Sequence, residues 1–225
     1  MSDFESRPNA EASDAQAALA ARKRPRPGER RVQILQALAS MLEQPGGERV
    51  TTAALAARLH VSEAALYRHF ASKAQMFEAL IEFIEQSVFS LINQITAREP
   101  DGTAQAMRVV EMVLTFAERN PGMARVIVGD ALVHENERLQ ERMNLFLDKV
   151  EATLRQCLRG GALMADSTTP SVQAQLRASV LMALVVGRLQ RYVRSGFRRA
   201  PSEQLEASLH LILGLSGVTM IARSG

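Results

Sequence analysis

The sequence predicts an all-α protein, and three observations carry that prediction. Ala, Leu, Arg, Glu and Gln, all strong helix formers, dominate the chain, while aromatic residues make up only 4% and Trp is absent. Apolar residues, 47% of the total, recur at spacings of three and four instead of alternating. Pro, Gly and Asn clusters cut these runs at intervals of helix length. A chain of 225 residues can hold one large domain or a small domain docked on a larger one.

Residues 1 to 21 carry few large apolar groups and cannot offset the entropy of ordering, so residues 1–27 are expected to form a disordered basic arm. Arg22, Lys23, Arg24, Arg26, Arg30 and Arg31 crowd into ten positions against one acid, Glu29. Such a run is a solvated tail or a phosphate-contacting patch. Pro25, Pro27 and Gly28 then punctuate the chain. Ile34, Leu35, Leu38, Met41 and Leu42 follow at helical spacing, until Pro45-Gly46-Gly47 stops the first helix.

Thr51 or Thr52 can cap a short second helix with Leu55, Ala56 and Leu59, and Ser62 can cap a third with Ala65, Leu66 and Phe70. Only Leu59-His60-Val61 separates them. So short a link forces a steep crossing with Ala56, Val61 and Leu66 inside the corner, a helix-turn-helix. His60 stands where the turn needs a left-handed backbone, which His tolerates better than most residues. The reading head therefore lies between about Arg30 and Lys73. Its position beside the basic run favours Arg30 and Arg31 as phosphate contacts.

Ser72 caps a longer fourth helix whose stripe runs from Phe77 through Leu80, Ile81, Ile84, Val88, Leu91 and Ile92 to Ile95, ending at Pro100-Asp101-Gly102. It should bridge a head at residues 28–88 and a helical dimerisation and partner-binding body at 89–225. Further helices are expected at about 102–119, 121–132, 135–159, 171–195 and 202–222. The last two carry more apolar surface than one body covers, with Gly187, Gly214 and Gly217 permitting close approach. The excess fits either a core within one chain or a two-fold four-helix interface between copies; paired half-sites favour the homodimer.

Other classes fare worse. Cys157 is the single cysteine, so no disulfide framework exists within the chain, and four scattered histidines give no zinc spacing. No Gly-rich phosphate loop, nucleophile elbow or paired acidic metal motif is present, which argues against an enzyme, and no cofactor or metal is expected. No run approaches the roughly 18 uninterrupted apolar residues of a membrane span, which suits a cytoplasmic protein. Sustained heptads are missing too, against a coiled-coil rod.

The stretch from Val50-Thr51-Thr52-Ala53-Ala54-Leu55-Ala56 through Val61-Ser62-Glu63-Ala64-Ala65-Leu66-Tyr67-Arg68-His69-Phe70 to Ser72-Lys73 resembles the head of the TetR family of bacterial DNA-binding regulators. Met76-Phe77, Leu80 to Glu85, Glu118 to Gly122 and Arg194-Ser195 with Phe197 extend the resemblance towards the nucleoid occlusion branch of that family. It implies a TetR-like homodimer in the cytoplasm, associated with the nucleoid, that binds palindromic sites on double-stranded DNA and antagonises assembly of the division protein FtsZ. It also implies that Thr52, Tyr67, His69 and Lys73 contact phosphates, with helix N-terminal amides at Thr51 and Ser62 assisting. Ala54 sits where relatives often carry a cation, so one phosphate contact is lacking there.

On the exposed side of the third helix, Ser62, Glu63, Ala64, Tyr67 and Arg68 are the residues that can reach base edges in a major groove. Phe83 lies about 120° from the centre of the fourth helix's stripe, on a side shared with Met76, Ser87 and Ser90. An exposed aromatic there is a candidate partner anchor, with Glu82, Gln86 and Leu91 beside it. The alternative is a ligand-controlled repressor of the same fold, its body pocket lined by Glu118, Arg125 and His134.

Overall fold

The computed structural model describes residues 28–44, 50–161 and 168–215. Helix α1 (Glu29–Leu42), α2 (Thr52–Arg58), α3 (Glu63–Tyr67) and the long α4 (Lys73–Arg98) come first. A body follows of α5 (Gly102–Arg119), α6 (Pro121–Ile127), a 3-10 turn at Asp130–Leu132, α7 (Glu137–Arg159), α8 (Pro170–Arg194) and α9 (Leu205–Leu213). The described residues contain no strand.

Helices α2, α3 and α4 each start where a hydroxyl takes up an orphan amide, whereas α1 starts at Gly28 without a side-chain cap. Thr51 accepts the Ala54 N–H at 3.1 Å, Ser62 that of Ala65 at 3.2 Å, and Ser72 that of Gln75 at 3.2 Å. Gln75 reaches back to accept the N–H of Ala71, one residue before the cap, at 2.8 Å, a variant of the capping box. His60 takes φ 53°, the left-handed turn expected of it. Leu55, Ala56, Leu66 and Phe70 are buried in the corner and Val61 is half-buried.

Helix α4, 26 residues and about 39 Å long, packs on α1 and on the body helices α5 and α7. It buries Met76, Phe77, Leu80, Ile81, Ile84, Val88 and Ile92. One continuous core runs from Ile34 in α1 to Leu213 in α9. Helix α8 packs on both α7 and α5.

Three boundaries differ from the sequence reading. The helix expected over 121–132 stops at Ile127, because Gly129 turns left-handed at φ 79° and the chain resumes as the 3-10 turn. The helix expected over 202–222 is helical at Leu205–Leu213 and meets a left-handed Gly214, φ 69°; residues 216–225 lie outside the described residues. The first helix ends at Leu42 with Glu43 as its cap, and the expected stop at Pro45-Gly46-Gly47 lies outside the described residues, as does the expected arm at 1–27.

Helix α8 is long and apolar enough, by length and composition alone, to cross a membrane. Gln, Ser and Arg interrupt its apolar residues, so it holds no long uninterrupted apolar run although its mean hydropathy is high. Its buried residues, among them Ala174, Ala178, Leu181, Val185 and Leu189, face the core of the body. Val172, Leu176 and Val180 remain at least half exposed on the other side, and Leu211 of α9 is 83% exposed.

Candidate nucleic-acid interface

The outer side of the head presents Ser62, Glu63, Ala64, Tyr67, Arg68 and His69, all exposed. Tyr67 is 45% exposed, whereas Leu66 and Phe70 fill the inward positions, so its ring is not part of the core. The turn connects the end of α2 to the start of α3. Thr52 Oγ1 bridges the two helices by donating to Glu63 Oε2 at 2.6 Å. Glu63 is therefore held at the amino end of α3, where the helix dipole favours its charge.

Arg30 and Arg31 have defined partners. Arg30 is half-buried and donates to Gln33 Oε1 at 2.9 Å. Arg31 lies over the Phe70 ring, 4.1 Å from its centroid, and donates to the His69 carbonyl. It ties α1 to the end of α3 and is thereby a fixed charge beside the exposed face, not a loose one. Arg58 joins α2 to α1 by donating to Ser40 Oγ at 2.8 Å.

Lys73, expected as a phosphate contact, stands at the amino end of α4. Its ammonium instead pairs with Glu135, just before α7, and sits 5.6 Å from the Phe77 ring centroid. Two more pairs continue along the same seam between α4 and α7. Arg138 pairs with Glu78, and Arg142 holds the Glu85 carboxylate with donors at 2.6 and 3.3 Å. The hydrogen bond to Glu85 is the main cause that raises the Arg142 pKa. On the other flank Arg125, only 8% exposed, donates to Asp130 Oδ2 at 2.5 Å and to the Leu42 carbonyl at the end of α1 at 3.1 Å.

The residues on this seam include some that the sequence singles out, but their long-range pairings are not visible in it. Their partners lie 57 to 83 positions away, and no local spacing rule connects them. Arg125, Glu118 and His134 do not converge on a ligand pocket. Arg125 is spent on Leu42 and Asp130, Glu118 Oε2 accepts from Ser202 at 2.6 Å, and His134 is exposed on the loop before α7. Burial pushes the Cys157 thiol pKa up, which makes it a poor nucleophile.

On α4, Phe83 is 49% exposed and Leu91 37%. Glu82, Gln86 and Ser90 are exposed with them, and Gln86 donates to Glu82 at 3.2 Å. Met76, placed on this side by the sequence reading, is fully buried. The early turns of α4 are flanked by the head as well as the body, which widens the buried sector beyond the one stripe the periodicity shows.

Two family models match the chain: "Bacterial regulatory proteins, tetR family" over residues 34–80, and "Tetracyclin repressor-like, C-terminal domain", of the SlmA-like type, over residues 101–214. The nucleoid occlusion factor SlmA of Vibrio vulnificus strain YJ016 is 49% identical over 178 residues, covering 79% of this chain and 90% of the relative. That of Shewanella amazonensis is 50% identical over 177 residues, covering 79% and 89%. Among solved structures, a transcriptional regulator from Rhodococcus sp. Rha1 has a TM-score of 0.65 at 22% identity, covering 82% of this chain and 94% of that one. The MbdR regulator of Azoarcus sp. CIB has the same TM-score at 19% identity, covering 80% and 95%. These likenesses agree with the helical head and body in fold. With near-half identity to the SlmA proteins over most of both chains, and the matching body model, the chain belongs to the nucleoid occlusion factor SlmA family within the TetR-type regulators.

Proposed function

We propose that the protein, seated as a homodimer on palindromic chromosomal sites, antagonises assembly of FtsZ and so keeps the septum off the nucleoid. The observation that carries this reading is its near-half identity to nucleoid occlusion factors across head and body together. It works by binding, without a catalytic step, in the cytoplasm and associated with the nucleoid. In this proposal residues 1–27 are a basic arm, 28–88 the DNA-binding domain and 89–225 the dimerisation and partner-binding domain.

In the head, Ser62, Glu63, Ala64, Tyr67 and Arg68 face the base edges, with Ala64 suited to a thymine methyl. Thr51, Thr52, His69, Arg30, Arg31 and Lys73 address the phosphates. Support comes from the exposed outer side of α3 and from the hydroxyl caps that fix the amino ends of α2 and α3. Phe83, Glu82, Gln86 and Leu91 form the face for the FtsZ tail, supported by an exposed aromatic that the core does not use.

The test is cosedimentation of FtsZ polymers in GTP with the purified protein, with and without chromosomal fragments that the protein selects. Polymer loss or altered bundling that depends on the fragments is the expected result; no effect on FtsZ despite tight fragment selection would overturn the reading. In the same assay Phe83→Ala should lose the FtsZ effect while keeping DNA affinity within about twofold, as expected for an anchor confined to one interface. Equal loss of both would make Phe83 structural.

The homodimer is supported by the apolar side of α8 and α9, with Val172, Leu176, Val180 and Leu211 exposed. Val180→Glu would bury an unpaired charge there. Sedimentation velocity should then report a monomer at concentrations where the parent protein is a dimer. An unchanged mass would place the contact elsewhere.

A further inference from the structure

A second concentration of positive charge lies far along the chain from the N-terminal basic run. Arg188, Arg191, Arg194, Arg198 and Arg199 fall within twelve positions that contain no acid. They span the end of α8 and the turn towards α9. Several contacts fix that turn. Ser195 Oγ accepts the backbone N–H groups of Arg198 and Arg199 at 3.1 and 3.0 Å. Phe197 adopts φ 64° and stands edge-on to Tyr192, with ring centroids 5.2 Å apart. The Tyr192 hydroxyl donates to the Glu118 carbonyl at 3.0 Å, anchoring the turn to α5.

Arg188 spans the mouth of the turn. Its guanidinium donates to the carbonyls of Pro201 at 2.9 Å and Glu203 at 2.5 Å, and to Ser208 Oγ at 2.8 Å. Its Nε is buried without a partner. A cavity of about 430 Å³ opens here, lined by Arg188, Arg191, Arg199, Pro201, Glu203 and Gln204 among others. The guanidinium groups of Arg191 and Arg199 make no hydrogen bond or ion pair among the described residues. Burial lowers the Arg188 pKa and the nearby Arg191 charge lowers it further, while Glu203 opposes them. Three cations thus line one hollow against a single carboxylate, an arrangement that an entering anion would relieve.

We propose that this hollow binds a soluble polyphosphate anion, such as the diphosphate or triphosphate portion of a nucleotide, held by Arg191 and Arg199 over the fixed Arg188. Guanidinium forks match phosphate oxygens two at a time, and two unspent forks on a rigid turn meet that need. Few apolar side chains line the hollow, so it offers little to a nucleobase or an acyl chain, and the phosphates carry the recognition. The site is separate in sequence from the DNA-reading head and from Phe83.

The experiment is calorimetric titration of inorganic pyrophosphate, and separately of ATP, into the full-length protein already saturated with a selected DNA fragment, so that the head's phosphate contacts are occupied. Saturable binding is expected, with the double variant Arg191→Ala, Arg199→Ala weakened by about tenfold or more, since both charge-assisted forks are gone. Glu203→Gln should bind more tightly, which a merely structural role for the turn would not produce. Both variants should keep the parent's melting temperature and DNA affinity. No saturable binding at millimolar pyrophosphate or ATP would overturn the proposal. So would binding that the double variant leaves intact, equal binding of sulfate at matched ionic strength, or binding confined to anionic lipid vesicles.

Discussion

Replacing Lys73 by alanine should lower the slope of log affinity against log salt by about 1.8 for the dimer, one phosphate contact being lost from each half. Carried over one decade of salt, that slope is a loss of about 60-fold in DNA affinity at 0.1 M. The ion pair with Glu135 adds a second, opposite expectation. Lys73 must leave that carboxylate, or share its charge with it, to meet a phosphate. Glu135→Gln should therefore strengthen DNA binding, and should do nothing once Lys73 is gone. Filter binding across a salt series measures both, with thermal melts to confirm that removing either partner of a pair with an 8% exposed carboxylate leaves the protein folded. An unchanged slope in Lys73→Ala would remove this residue from the footprint and leave it as a strut between head and body.

Gly122→Ala is expected to destabilise the protein by about 1–3 kcal/mol or more, the usual cost of overpacking. A Cβ at position 122 would lie 2.0 Å from the Ala39 carbonyl oxygen and 3.2 Å from Leu42 Cβ. The obstacle is backbone, so no rotamer change relieves it. Helix α6 would have to back away from α1, and the Arg125 bond to the Leu42 carbonyl, 3.1 Å, would stretch with it. At roughly 2–4 °C per kcal/mol for a chain of this size, scanning calorimetry should resolve the drop in melting temperature. DNA affinity should fall as well, because α1 of the head packs on α6 at this contact. A variant that melts with the parent protein would mean that α1 and α6 can separate without cost.

The head was legible in the sequence because its rules are local. A hydroxyl stands three positions before each amide it caps, a three-residue link forces a steep corner, and His60 sits in that link where the backbone turns left-handed. Tyr67 could be placed outside because Leu66, and Phe70 just beyond the five-residue helix, take the inward positions. The seam between head and body was not legible. Lys73 reads as one more exposed cation until tertiary packing brings Glu135 to it across 62 positions. Met76 was misplaced for a related reason: an angular wheel assumes a single buried sector, whereas α4 is shared by two packing units. Gly129, which breaks the expected 121–132 helix, carries a signal that apolar periodicity alone does not weigh.

The span of α4 has a consequence for range. Lys73 and Phe83 stand ten positions apart on one unbroken helix, which is about 15 Å along its axis. If the first addresses the phosphate backbone and the second a division protein's tail, the captured tail is held within about two Debye lengths of the duplex at physiological salt. Inhibition would then act by touch and not by proximity. A region of chromosome would be policed only as finely as its binding sites are spaced, so the placement of sites along the genome would become a map of where the cell is forbidden to divide.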